Sequence, residues 1–267
     1  MTDVSTQHVV GGDAHDDDAT EQITTEQIAN DAPPTPLSSP ATTSLPVLGK
    51  VECIYEYVRD ENGRPTGATR EQLAIHPQNP IVTAKFDGTC CYIQNGQVFA
   101  RQDVKHDASN APPGWFQTAA KDKGGHIIGF RPLDRGDKWH FKPIDGPNCR
   151  FLEYDADRKE FFYVMRPIAD FNGYTAELVG PSVNGNKHKL TENAYIIHGS
   201  VVVDAPWHCR AELQAWLAGE GKIYEGIVIH DVGNHTLAKC HRGHLGGSNT
   251  WKAAVPLPMR AVTDDAR

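Results

Sequence analysis

A single amine and a carboxylate flank one residue in Thr83-Ala84-Lys85-Phe86-Asp87-Gly88-Thr89-Cys90-Cys91-Tyr92. An amine at the end of a largely apolar strand is partly desolvated, which lowers its pKa and makes the neutral nucleophile available. Lys-x-Asp-Gly alone also fits a surface lysine beside a turn, so its meaning rests on companions. Four follow: Arg101 at the end of Gln97–Arg101, then Glu177-Leu178-Val179-Gly180, then Glu225-Gly226-Ile227-Val228, and last Lys239-x-His241-Arg242. Singly, each has a plain explanation as a solvated strand residue. The order Lys, Arg, Glu, Glu, Lys is expected to lie on strands of one sheet, converging on a common site.

The surrounding pattern is mostly that of strands. Ile81-Val82-Thr83 leads into the Lys85 loop, and Tyr92-Ile93 leads out to a turn at Asn95-Gly96. Lys50 to Val58 alternates like a strand and ends in a turn over 60–63. Residues 106–150 are rich in Gly, Pro, Asp and Trp with little helical periodicity, and Gly125 to Phe130 reads as a short strand or turn. Phe161 to Met165 and Gly173 to Val179 read as paired strands. Pro181 to Leu190 is a polar loop, and Ala194 to Val203 is strongly β-forming. Cys209 to Ala218 is the one convincing helix, with Leu213, Trp216 and Leu217 at i, i+3 and i+4 and glycines to end it. Tyr224 to His230 and Thr236 to His241 form a hairpin around Gly233-Asn234. The expected fold class is α+β with a mostly antiparallel core.

The charge is unevenly distributed. The chain of 267 residues has a net charge of −8, and residues 1–49 hold eight acids with no Lys or Arg, so the remainder is neutral. That first stretch is rich in Asp, Thr, Ser and Pro and cannot bury enough apolar surface to offset its chain entropy. Residues 1–48 are therefore expected to be a disordered acidic tail and 49–267 one domain. A neutral body can still carry a basic groove, so total charge does not exclude a nucleic-acid partner. No run is long enough to span a membrane and no secretory leader is visible, which leads to the expectation of an intracellular, cytoplasmic protein without membrane contact. The six cysteines show no Cys-x-x-Cys pair, and vicinal Cys90-Cys91 is a poor disulfide candidate, so reduced thiols are expected.

Taken together, these stretches resemble the covalent nucleotidyltransferase superfamily of ATP-dependent polynucleotide ligases and mRNA capping enzymes. The nearest likeness is to the vertebrate-type 5′-3′ RNA ligases. It rests on Lys85 to Tyr92, Ala100 to Lys105, Gly125 to Gly129, Glu177 to Asn186, Glu225 to His230 and Lys239 to Gly246, and covers roughly residues 50–247. The resemblance implies a nucleotidyltransferase (ligase adenylation) domain. Fewer than thirty residues follow Lys239, too few for an appended OB-fold domain, so none is expected. It also implies a three-step reaction of RNA repair, with ATP and Mg²⁺ or Mn²⁺ as cofactors. Lys85 takes AMP from ATP as a lysyl-AMP adduct, AMP passes to an RNA 5′-phosphate, and a 3′-hydroxyl displaces it. In-line phosphoryl chemistry asks mainly for positioning and charge neutralisation.

The resemblance assigns the remaining roles. Lys239 and Arg242 supply positive charge to the α-phosphate, and Glu225 with Glu177 holds the metal. Glu177 also contacts the ribose, and Arg101 the sugar or the 5′-phosphate end. Asp87 belongs to the catalytic set, while Thr83, Ala84 and Gly88 border the nucleotide. His198 stands where the family places an adenine-stacking aromatic, and it fits an ordinary strand histidine equally well. Two departures are visible: Ala84 precedes the lysine where many of these ligases have Glu, and His241 replaces a lysine found in other branches. Cys240, His241 and His244 offer only three zinc ligands, and phosphate contacts from His241, Arg242 and His244 are the preferred reading. The alternatives are a nick-sealing ligase acting on DNA or mixed substrates and a catalytically silent RNA-end-binding protein.

Overall fold

The computed structural model describes residues 46–261 apart from 63, 72–76, 78 and 246–254. Most of the acidic segment expected over 1–48 lies outside the described residues, as does most of the stretch after Gly246.

Runs of β-branched and aromatic residues form the strands. The chain begins with β1 (Glu52–Cys53), β2 (Tyr55–Arg59), β3 (Pro65–Glu71), β4 (Ile81–Lys85), β5 (Thr89–Gln94) and β6 (Gln97–Arg101). Asn95 at φ 51° and Gly96 at φ 69° adopt the left-handed backbone that a two-residue hairpin between β5 and β6 demands. Through the Gly- and Pro-rich stretch run the short strands β7 (Val104–Lys105), β8 (Phe116–Gln117), β9 (His126–Ile127) and β10 (Gly129–Pro132). A one-turn helix α1 (Lys138–Phe141) and β11 (Ile144–Asp145) follow. Longer strands come next: β12 (Asn148–Asp155), β13 (Glu160–Pro167), β14 (Thr175–Val179) and β15 (Ala194–Ile197). Helix α2 (Arg210–Ala218) then precedes the final hairpin, β16 (Gly226–Asp231) and β17 (Thr236–His241). Strands predominate and most pairings are antiparallel, as expected.

The charged residues lie on two sheets, where one was expected. The smaller has the order β1-β17-β16-β4; the larger runs β11-β12-β15-β14-β5-β6-β10-β8, with β13 on β12. Two further readings change. β13 pairs with β12 along its whole length, so Phe161 to Met165 does not pair with the strand that carries Glu177; β14 lies between β15 and β5. The run from Ala194 to Val203 is not one strand. It leaves the large sheet at Ile197, turns at Gly199 (φ 82°), and reaches the small sheet. There the Ala84 amide donates to Val201 O, and the Val203 amide donates to Val82 O.

Alternation sorts the side chains. Cys91, Ile93, Ala176, Leu178, Tyr195 and Ile197 pack on one face of the large sheet. Leu152, Val179, Ala194 and Ile196 on the other face join Ala84, Phe86 and Tyr224 in a layer between the sheets. Beneath the small sheet, Ile227, Ile229, Ala238 and Cys240 meet Leu213 and Leu217 of α2. Each of those fully buried leucines contributes about 2 kcal/mol of transfer free energy. No helix among the described residues is long and apolar enough to cross a membrane.

Candidate active site

A cavity of about 340 Å³, large enough for a nucleotide, opens between the facing sheets. On the small sheet, Thr83 pairs with Val228, which pairs with Lys239, which in turn pairs with Cys53. Thr83, Val228 and Lys239 line the cavity, with Lys85 at the end of β4. On the large sheet, Glu177 lies opposite Cys90, and Arg101 is one register step beyond the Cys91–Ala100 pair. Glu177, Cys90 and Arg101 line the opposite wall.

The Lys85 loop is held by close backbone approach. A Cβ at Gly88 would stand 2.2 Å from the carbonyl oxygen of Leu178, and one at Gly226 would stand 2.1 Å from that of Cys240. These two glycines let β5 and β16 seat against their neighbours, which fixes Lys85 and Glu225 relative to each other. The Glu225 amide donates to Lys85 O at 2.9 Å. Phe86 packs edge-on against Phe161 and Tyr224, and the Asp87 amide donates to His188 Nε2 at 3.1 Å. The Asp87 carboxylate accepts from Asn184 Nδ2 at 2.7 Å, so it secures the polar loop over 181–190 rather than entering the cavity.

Lys85 Nζ donates a short hydrogen bond to Glu225 Oε2, and a second, at 3.3 Å, to Phe86 O. Burial works against the ammonium, but the charges of Glu225 and Glu177, the hydrogen bond to Glu225 and the charge of Asp87 outweigh it. The pKa therefore lies above the ordinary lysine value. The expected lowering is reversed because the desolvated amine faces three carboxylates. Burial pushes the Glu225 carboxyl up, and Lys85 draws it partly back. Lys239 is the amine that burial depresses, with Lys85 and Arg101 adding repulsion.

His198 reaches the cavity through a chain of hydrogen bonds. Its Nε2 lies 2.9 Å from Glu177 Oε2, and its Nδ1 lies 2.9 Å from Thr175 Oγ1. Thr175 Oγ1 also accepts the Val47 amide at 2.7 Å. The network fits Nε2 donating to Glu177 and Nδ1 accepting from the Thr175 hydroxyl. Both ring nitrogens are thus engaged in the wall. Arg101 is clamped by Asp103, with Nε 2.9 Å from Oδ1. Arg242 turns to the backbone instead, donating from Nε to Tyr224 O at 2.9 Å and from Nη2 to Gly221 O at 2.7 Å. Asp87, Glu225 and Arg242 support the cavity from its margins, while Thr83, Ala84, Lys85, Gly88, Arg101, Glu177, His198 and Lys239 line it.

Several contributors carry no assignment from the sequence, among them Val47, Lys50 and His230. Val47 and Lys50 line the cavity from the segment before β1, although Val47 falls within the stretch expected to be structureless. His230 also lines it, with Nε2 2.9 Å from Thr83 Oγ1 and a buried Nδ1 that lacks a hydrogen-bond partner among the described residues. Burial pushes that imidazole down to about 4, so it is neutral at pH 7. Its place two residues beyond Val228 on β16, hence on the same face, is the signal that could have found it.

Comparison with known proteins identifies the family. The family model for RNA ligase 1 matches residues 116–262, a segment that holds Glu177, Glu225 and Lys239 and begins after Lys85 and Arg101. RNA ligase 1 of Rattus norvegicus is 29% identical, with 63% of this chain and 68% of the rat protein covered. RNA ligase 1 of Danio rerio is 27% identical, with 82% and 89% covered. RNA ligase 1 of Pongo abelii is 29% identical, with 62% and 67% covered. The chain belongs to the RNA ligase 1 family.

Proposed function

We propose that this chain is an ATP-dependent RNA ligase that joins 5′-phosphate and 3′-hydroxyl RNA ends through a lysyl-AMP adduct on Lys85. The observation that carries the reading is the position of Lys85 and Lys239 on one wall of a nucleotide-sized cavity, opposite Arg101 and Glu177. Lys85 Nζ bonds to the α-phosphorus as the bond to the pyrophosphate oxygen breaks, and the ammonium proton has to leave beforehand. In the structure three carboxylates oppose that loss. The hard carboxylate oxygens of Glu225 and Glu177 suit Mg²⁺ or Mn²⁺, which bind through one or two carboxylates and keep several waters. Held by these residues, a cation would supply positive charge to the phosphates, and Glu225, once engaged by it, would release Lys85 toward the neutral amine. Lys239 and Arg101 add charge to the phosphates, and the wall formed by His198 and Glu177 orients the sugar.

RNA has a suitable approach beside the Asp87 loop. Trp139 and Phe141 of α1 are 38% and 47% exposed, enough to offer ring faces to unstacked bases. Lys138 Nζ and Lys142 Nζ stand 4.4 and 4.7 Å from the Trp139 ring centroid. Lys142 also donates to Ser182 Oγ at 2.8 Å, which links this platform to the loop that holds Asp87.

Incubation with α-labelled ATP tests the reading. The wild-type chain should gain a covalent AMP label that survives base and is released by mild acid, as a P–N bond requires, and Lys85→Ala should gain none. Lys85→Ala should still seal RNA whose 5′ end is already adenylylated, whereas Glu225→Ala should be impaired with both substrates. A Lys85→Ala protein that still takes the label would move the nucleophile to another amine, with Lys239 the first to examine.

A further inference from the structure

The last motif brings together a group of side chains that do not line the nucleotide-sized cavity, although phosphate contacts were expected of its two histidines. Cys53 Sγ and one ring nitrogen each of His241 and His244 all lie within 4.8 Å of one another. Three features of the fold put them there. β1 runs parallel to β17 with Cys53 opposite Lys239, so Cys53 shares the face that Lys239 and His241 present. Cys240 points the opposite way and is fully buried in the core over α2. The cysteine adjacent in sequence is therefore excluded, and one from a distant strand takes its place. The 3-10 turn Arg242–Leu245 then brings His244 back over His241, with ring centroids 3.7 Å apart. A Cβ at Gly243 would stand 2.6 Å from Tyr57 Oη and 3.1 Å from His241 Cε1, so a side chain there would displace Tyr57 and His241.

Hydrogen bonding leaves one ring nitrogen of the cluster unused among the described residues. His244 Nδ1 is buried with no hydrogen-bond partner among the described residues, and no carboxylate belongs to the group. Two closely packed imidazoles beside a thiol are a poor arrangement for solvation and a good one for a borderline-soft cation. We propose that Cys53, His241 and His244 form a zinc-class metal site with one open coordination position. Binding exchanges the Cys53 thiol proton for the metal, and the imidazoles ligate in their neutral form. A thiolate with two imidazoles selects against Mg²⁺, which prefers oxygen, so this site is distinct in chemistry from the Glu177–Glu225 pair.

The ion would clamp β1, a strand of only two residues, to the end of β17 and the turn beyond it. Lys239 pairs with Cys53, and Lys50 and Val51, which line the cavity, directly precede β1. The clamp would thus fix one edge of the nucleotide cavity without touching the nucleotide.

Co²⁺ titration of the full chain, stripped of metal and free of ATP, tests this directly. One equivalent should bind with the intense visible bands of a four-coordinate site and a sulfur-to-cobalt charge-transfer band. An excess of Mg²⁺ of about a thousandfold should not displace it. Cys53→Ser should abolish the charge-transfer band. Cys53→Ser and His244→Gln should each weaken binding by more than about 100-fold, the upper range for losing a mere supporting residue. Cys209→Ser should bind as wild type, and circular dichroism checks that each variant is folded. Zn²⁺ should raise the melting temperature of the wild type and not that of folded Cys53→Ser. Failure of the wild type to take up Co²⁺ or Zn²⁺ stoichiometrically at micromolar concentration overturns the proposal. So does full-strength binding by folded Cys53→Ser and His244→Gln.

Discussion

The Lys85–Glu225 pair should be measurable as a coupling energy in folding, quite apart from activity. The two side chains are 22% and 23% exposed, so most of each charged group is withdrawn from water. At contact distance and an effective dielectric near 20, the gross attraction is about 5 kcal/mol. Desolvation of both ions and the solvent that still reaches them remove more than half of it, leaving a net coupling of about 2 kcal/mol. Lys85→Met leaves Glu225 buried opposite Glu177 and Asp87 without its cation and should cost about 3 kcal/mol. Glu225→Gln keeps a hydrogen-bond acceptor, leaves Lys85 with Glu177, and should cost about 1–2 kcal/mol. The double variant should be less destabilised than the sum of the two by the coupling energy. Urea unfolding at pH 7 supplies all four values. Because the folded-state pKa of Lys85 is raised, the pair's contribution is complete below the ordinary lysine value of ~10.4 and is lost only as pH rises through the higher folded value. The coupling should therefore be unchanged between pH 7 and pH 9. A coupling below about 0.5 kcal/mol, or one that vanishes by pH 9, would refute the claim that Glu225 holds this amine charged.

The same raised pKa predicts that AMP-label formation accelerates with pH across 7 to 9, as the neutral amine becomes less scarce; a flat profile with chemistry rate-limiting would contradict it. Removing residues 1–45 should leave labelling and melting temperature unchanged, whereas removing 1–49 deletes the Val47 amide that Thr175 accepts and should weaken ATP binding about tenfold, measured by titration. Gly226→Ala should destabilise by about 3 kcal/mol or more in urea unfolding, since its Cβ meets the Cys240 carbonyl at 2.1 Å. Trp139→Ala should weaken single-stranded RNA binding by about 1–3 kcal/mol in fluorescence anisotropy while sparing AMP labelling.

Much of the strand pattern was legible because period-2 alternation is a local property. β4, β5, β6 and the β16–β17 hairpin all announce themselves through β-branched runs bounded by Gly, Asn or Asp. β12 was not legible. Its Asn-Cys-Arg-Phe start follows a Pro- and Gly-rich stretch, and it becomes a strand because β13 and β15 pair with it on both sides. Pairing partners are set by tertiary packing, which local pattern does not encode. That is why β13 was matched with the wrong neighbour. The role of Val47 was hidden for the same reason: a polar, Pro-rich stretch carries no sign that one of its amides meets a threonine far along the chain.

The division of the site between two sheets is the step that sequence could least supply, and it determines the chemistry. On a single sheet, Lys85, Arg101, Glu177 and Lys239 would form a flat row exposed to solvent, and their charges would be screened. Facing sheets turn the same residues into opposite walls. The run from Ala194 to Val203 makes this possible by leaving the large sheet at Ile197 and bonding to the small one at Val82 and Ala84. It therefore sets the spacing between the walls, carries His198 on its way across, and ties Glu177 on one wall to the strand of Lys85 on the other. Burial between the walls explains why two lysines of the same cavity differ. Lys85 meets three carboxylates and is held charged, while Lys239 is pushed down chiefly by its burial. Glu225, which restrains the Lys85 amine and whose oxygens suit a divalent cation, would on the proposed function couple release of that amine to occupancy of the cavity. On the proposed function, Lys85 would stay protonated until a nucleotide and a cation were in place, which would protect the amine from reacting with the wrong electrophile.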